Sequence, residues 1–420
     1  MFDRAYRQRL EADLARWEAD GVVTPAASAA IRNALPPLAS GFNIPVVVGI
    51  VGGLLIAAAF LAFVAAHWIE IARLARLAIL FAGIAAAYGL GAWFAQTGRA
   101  ILSDLCTSVG AIIFGAGIAL VGQMYHLGGD FAGGMLLWAI GALAAAALTG
   151  SRGALAVTLV AASIWSGMRS MEEAQSPHLS FLAVWFFATA LGLAWNSRAV
   201  AHLAALAAIP WWVFAAISVP AQQGIFIPAG GAALALGGGL ALALSPWPRL
   251  AAAGAVLSTY GAFALAAVAA WETATANEFL YVRTGSASPP LWAAACGVVG
   301  AVAALAMGAA KREAGVAVAG VAVVLVLVAT VIWMQPHSGE PWLMYALCLC
   351  AMVGLVASGM LDGARPRIVA GWLGIAGVIA GITWAVKGSL LRRSIFLAAA
   401  GAIAVLLALV LNRSLPRADK

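Results

Sequence analysis

Residues 314–333 read Ala-Gly-Val-Ala-Val-Ala-Gly-Val-Ala-Val-Val-Leu-Val-Leu-Val-Ala-Thr-Val-Ile-Trp, without one charge. Lys311, Arg312 and Glu313 stand before the run, and His337 and Glu340 follow it. A run of about 20 apolar residues matches a hydrocarbon core roughly 30 Å thick. Hydrocarbon holds no water to satisfy a backbone N–H or C=O, so such a run must be a helix.

The rest of the chain repeats this pattern. Of 420 residues, 64% are hydrophobic and 9% charged, with a mean hydropathy of +1.00. A soluble domain carries about 25% charged residues, so these charges are too sparse to cover a surface in water. The apolar blocks predict about fourteen spans, at 45–66, 74–95, 105–122, 131–149, 153–168, 179–195, 199–217, 225–244, 250–270, 290–310, 314–333, 341–361, 367–386 and 394–411. The fold class is therefore all-α, a polytopic transmembrane helical bundle. Small residues at Gly49/Gly53 and Gly377/Gly381, with Gly371 and Gly374 extending the second seam, suit close helix contact.

Residues 1–44 form a separate element, followed by transmembrane regions 45–170 and 171–420. Leu10, Leu14 and Trp17 share one face of a predicted helix ending at Asp20-Gly21. Thr24-Pro25 opens a second helix, a capping hydroxyl followed by a proline at the first helical position, and Pro36-Pro37 closes it. The expected object is a short cytosolic hairpin, with Leu14, Trp17 and Ile31 as candidate partner-binding residues. The leader is too long and too acidic for a cleavable signal peptide.

Lys and Arg set the orientation. With the N-terminus inside, sixteen of the 23 basic residues fall on inner segments and seven on outer ones. Both termini are thus expected on the cytoplasmic side of a bacterial inner membrane, with Lys387–Arg393 as the exception. The net charge of +7 forms no stripe, so no nucleic-acid partner is expected. The expected partner is the bilayer, with a lipid or neutral small molecule as candidate ligand.

On this topology His67, His126, His178 and His337 lie outside, with Glu70, Asp130, Glu172, Glu173, Glu272, Glu278 and Glu340. The densest polar stretch is Gln123-Met-Tyr125-His126-Leu-Gly-Gly-Asp130. One reading is an outward-facing pocket in which His67, Trp68 and Glu70 meet Gln123, Tyr125, His126 and Asp130. Imidazole and carboxylate there suit binding of a divalent metal or proton transfer near neutral pH. The structural alternative makes Asp130 a helix cap, Gly128-Gly129 a helix stop, and Tyr125 and Trp68 interfacial residues.

No Asp, Glu, Lys or Arg falls at the middle of a predicted span, which weighs against a proton- or sodium-driven transporter. The hydroxyls there, on Thr158, Ser163, Thr189, Ser258, Thr259, Ser358 and Thr383, are each able to bond their own helix backbone. Cys106, Cys296, Cys348 and Cys350 read as small apolar packing residues, with a metal or disulfide role for Cys348 and Cys350 as the alternative. No metal-binding signature, phosphate-binding glycine loop or Gly-x-Ser-x-Gly elbow is present, so no cofactor or metal is expected. A membrane-embedded transferase is the third-ranked reading, behind a ligand-handling protein and a scaffold docking through its hairpin.

The stretch Leu14-Ala-Arg-Trp17-Glu-Ala-Asp20-Gly21-Val-Val-Thr24-Pro25 is followed by Ala66-His67-Trp68, then by Arg73 to Arg76, then by Gln123-Met-Tyr125-His126. This order resembles the bacterial membrane proteins grouped as domain of unknown function 2157, over about the first 150–170 residues. The resemblance implies a multi-pass inner-membrane protein and lends no activity. His67 stands where that family more often has Asn.

Overall fold

The computed structural model describes residues 2–34, 51–52, 55, 58–59, 62, 72–125, 130–172, 177–277, 288–336 and 341–385, with side chains of 2–9, 33–34 and 222 left undescribed. The chain divides into two compact units, Met1–Ile71 and Ala72–Lys420.

In the first unit, α1 (Phe2–Ala19) and α2 (Pro25–Ala34) form the expected hairpin. Gly21, at φ +70°, turns the chain after α1, where only glycine adopts the left-handed backbone at little cost. Thr24 Oγ1 accepts from Ala27 N at 3.3 Å, capping α2 as its sequence requires. Arg32 Nε donates to Glu11 Oε2 at 3.0 Å across the hairpin. Leu14 is fully buried, Trp17 half-buried and Ile31 exposed.

The second unit runs α3 (Arg73–Gln96), α4 (Ala100–Met124), α5 (Phe131–Thr149), α6 (Arg152–Glu172), α7 (Ser180–Ala194), α8 (Arg198–Ile217) and the single turn α9 (Ala221–Gly224). It continues with α10 (Phe226–Ala243), α11 (Pro248–Thr275), α12 (Leu291–Lys311), α13 (Ala314–Met334), α14 (Trp342–Leu361) and α15 (Arg365–Ala385). Among the described residues there is no strand, and eleven helices are long and apolar enough to cross a membrane. With α7, at 15 residues, they cover twelve of the expected spans. The first expected span, 45–66, lies largely outside the described residues, and the last, 394–411, wholly so, as does the Gly49/Gly53 pair. Phe81, Phe186, Phe187 and Trp372 point outward, which is where lipid takes the place of water.

Helices alternate in direction, so one end of this unit carries short turns and the other longer connections. Asp104 on α4 pins one short turn. Its Oδ1 accepts from Ser151 Oγ at 2.5 Å and from Gly153 N at 3.1 Å. Ser151 Oγ in turn accepts from Ala154 N at 3.0 Å. A hydroxyl and a borrowed carboxylate thereby satisfy the first free amides of α6. That helix spans 21 residues, longer than the stretch 153–168 read from hydropathy.

Six of the seven expected mid-span hydroxyls, all but Ser358, bond a carbonyl three or four residues back. Indole N–H groups also find carbonyls: Trp138 reaches Ala111 O at 2.9 Å and Trp185 reaches Ala204 O at 2.8 Å. Two apolar cores share the rings of Trp212 and Trp292.

Close backbone approach organises the later helices. Gly377 and Gly381 of α15 face Ala270 and Ala274 of α11. A π-turn, Leu234–Gly238, interrupts α10. There a side-chain carbon on Gly300 of α12 would overlap the carbonyl oxygen of Ala233, and one on Gly237 would overlap that of Gly300. Backbone cannot move aside as a flexible side chain does. Gly300→Ala is therefore expected to lower stability by about 1–3 kcal/mol through overpacking, read as thermal unfolding in detergent. Gly89→Ala, where the added carbon meets nothing within 4 Å among the described residues, is expected to be neutral or to stabilise by about 0.5–1 kcal/mol.

Candidate functional site

The stretch 123–130 links α4 to α5 at the long-connection end. Gln123 is exposed in the last turn of α4, and Tyr125, 45% exposed, ends the helix with its amide on Val121 O at 3.1 Å. Asp130 is the N-cap of α5, its Oδ1 accepting from Gly133 N at 2.8 Å. His67, Trp68, Glu70 and His126 lie outside the described residues, and with them the expected meeting of the two loops.

Asp130 has a second partner that the sequence reading did not foresee. Its Oδ2 takes an ion pair from Arg169 Nη2, and Arg169 Nη1 holds Glu172 Oε2 at 2.9 Å. Arg169 is one of the seven basic residues that the sequence places on outer segments. Glu172 three residues on, at helical spacing, was the available local signal that Arg169 is held by acids.

Behind this polar cluster lies a cavity of about 890 Å³ between α3, α4 and α5. Leu80, Phe81, Phe114, Ile118 and Met135 form its apolar walls, and Gln123 and Asp130 supply polar atoms. Two predicted site residues thus border one cavity. The amide of Gln123 and the carboxylate of Asp130 stand on an otherwise apolar lining, and Arg169 reaches it only through its pair with Asp130. A second cavity of about 570 Å³, walled by Val213, Ile217, Pro228, Val268, Trp271 and Trp333, is apolar almost throughout.

The expectation for Glu272 needs correction. It was placed among acids in an outer loop, but α11 continues to Thr275 and the side chain is fully buried. Leu265, Ala269, Glu272 and Ala276 follow one another at helical spacing, and all four are buried. The phase that hides the three apolar residues hides the carboxyl with them. Thr330 of α13 contacts Oε1, and Cys348 Sγ of α14 donates to Oε2 at 3.7 Å. Cys348 therefore does more than pack, and Cys350 on the same helix is exposed. Glu272 stands in the last turn of α11, away from mid-span, so it encloses a carboxyl at one end of the bundle without placing one halfway along a span.

At the short-turn end Arg367 is also buried. Its Nη1 donates to Ser358 Oγ at 2.5 Å and its Nη2 to Asp362 Oδ2 at 2.6 Å. Ser358 thus receives a guanidinium, where a bond to its own helix was expected. Among the described residues no three His, Cys, Asp or Glu side chains gather as a metal site.

Residues 15–155 match the family described as "Predicted membrane protein (DUF2157)". The match covers the N-terminal third of the chain and bears out the resemblance seen in the hairpin and the Gln123–His126 stretch. No curated protein and no solved structure matches the chain. The protein is a multi-pass membrane protein.

Capping and pairing at Asp130 are separable. Asp130→Ala is expected to cost about 0.5–2 kcal/mol through the lost cap. Asp130→Asn keeps a capping oxygen and loses only the charge, so its unfolding midpoint should stay near that of the parent protein.

Proposed function

We propose that the protein holds a lipid or another neutral amphiphile in the cavity between α3, α4 and α5, from the outer face of a bacterial inner membrane. One observation carries the reading: an 890 Å³ apolar space has Gln123 and Asp130 at its border, and Arg169 is paired to Asp130. Apolar walls of that extent give an acyl chain dispersion contacts along its length. The polar cluster gives a head group its hydrogen bonds.

The orientation is part of the proposal. Among the described residues of the second unit, the short-turn end carries Arg99, Arg152, Arg198, Arg249, Lys311, Arg312, Arg365 and Arg367, and the other end Arg73, Arg76 and Arg169. The excess of basic residues supports a cytoplasmic short-turn end and an outward cavity mouth. The hairpin-docking alternative retains Ile31 as an exposed residue, whereas Leu14 is covered.

Gly122 borders the cavity, and among the described residues a carbon added to it meets nothing within 4 Å. Gly122→Leu should fill the space without disturbing helix packing. Lipid co-purified with the protein, measured by native mass spectrometry, should fall while the unfolding midpoint holds or rises. Unchanged lipid content in a folded Gly122→Leu protein would contradict the reading. Loss of a cellular phenotype on deletion of residues 1–40, with Gly122→Leu silent, would favour hairpin docking.

A further inference from the structure

Three helices, α11, α13 and α14, close around the carboxyl of Glu272. The residue has no exposed surface. A membrane-embedded ionisable group with such burial is costly to keep, and its partners indicate what it holds.

Counting protons identifies the bound species. Oε1 of Glu272 is in hydrogen-bond contact with Thr330 Oγ1. The same Thr330 Oγ1 lies 2.9 Å from Val326 O, the carbonyl one turn back on α13. Each contact needs a proton, and a hydroxyl has one to give. A carbonyl supplies none, and the bond from threonine to the carbonyl four residues back is the usual one in a helix. The remaining contact, between two oxygens, closes when the carboxyl itself carries a proton. Glu272 O–H then donates to Thr330 Oγ1, and Thr330 O–H donates to Val326 O. Cys348 Sγ–H, 3.7 Å from Oε2, supplies the carbonyl half of the acid with a weak donor.

The other assignments fare worse. If Thr330 gives its proton to an ionised Glu272, Val326 loses that bond and, among the described residues, a full negative charge is left with one hydroxyl and one thiol. Two weak donors do not replace the hydration of a carboxylate. A metal cation would call for a shell of oxygens, and the described residues supply one carboxyl, one hydroxyl and one helix carbonyl.

Among the described residues the titratable neighbours are few. On α14 they are Cys348 and, one turn earlier, the buried Tyr345. On α13, Thr330 and Trp333 face this junction, with Trp333 Nε1 donating to Thr275 Oγ1 of α11 at 3.2 Å. No residue of α10 titrates, and the basic residues of α15, Arg365 and Arg367, lie at its opposite end.

We propose that Glu272 is a proton-binding site inside the helix bundle, holding its proton at neutral pH through the chain Glu272–Thr330–Val326. This goes beyond the lipid-cavity reading and does not depend on it.

The test is infrared spectroscopy on the full-length protein in lipid nanodiscs, with glutamate carboxyls labelled with carbon-13. Exposed glutamates are ionised at neutral pH, so a protonated-acid C=O band that moves with the label reports an enclosed one. The band is expected in the parent protein and should be lost in Glu272→Gln. Glu272→Asp, which keeps an acid there, should also lose it from the labelled set. Thr330→Val should shift the band by removing its acceptor, and Thr330→Ser should restore it. Carboxylate bands alone in the parent protein at neutral pH would overturn the proposal. So would a labelled acid band that persists in both Glu272 variants.

Discussion

A backbone amide in hydrocarbon has no water to bond, and the architecture of this chain follows from that. Each apolar block closes its own N–H to C=O ladder as a helix. The constraint extends to side chains. Thr158, Ser163, Thr189, Ser258, Thr259 and Thr383 return their hydroxyls to a carbonyl on the preceding turn. Trp138 and Trp185 send their indole N–H groups to carbonyls on neighbouring helices.

With lipid on the outside, apolar side chains gain little by leaving it for one another, and packing has to hold the bundle together. That explains where the glycines are. Gly377 and Gly381 bring α15 onto α11, and Gly237 and Gly300 bring the π-turn of α10 onto α12. Between α3, α4 and α5 lies the 890 Å³ cavity. The same unit is thus tight where backbones meet and open where Gln123 and Asp130 stand.

The spans were legible because length and apolarity are properties of the residues alone; the helix Phe131–Thr149 has the bounds that hydropathy gave it. The Thr24 cap and the Asp130 cap were legible as local chemistry. Glu272 was misplaced because Trp-Glu-Thr-Ala-Thr reads as a polar loop, and only the helical phase carried on from Leu265 and Ala269 shows that it turns inward. Its partners Thr330 and Cys348 lie 58 and 76 residues away, a separation that no local pattern bridges. The Asp130–Arg169 pair escaped for the same reason, being 39 residues apart.

The central claim is that lipid is the solvent for these helices and that they cross it in alternation. Single cysteines placed by Tyr125→Cys and Arg312→Cys, in a protein otherwise free of cysteine, put one probe at each end of the second unit. A membrane-impermeant maleimide applied to intact cells and to inverted vesicles should label the first from one side only and the second from the other only. Labelling of both positions from the same side would contradict the account.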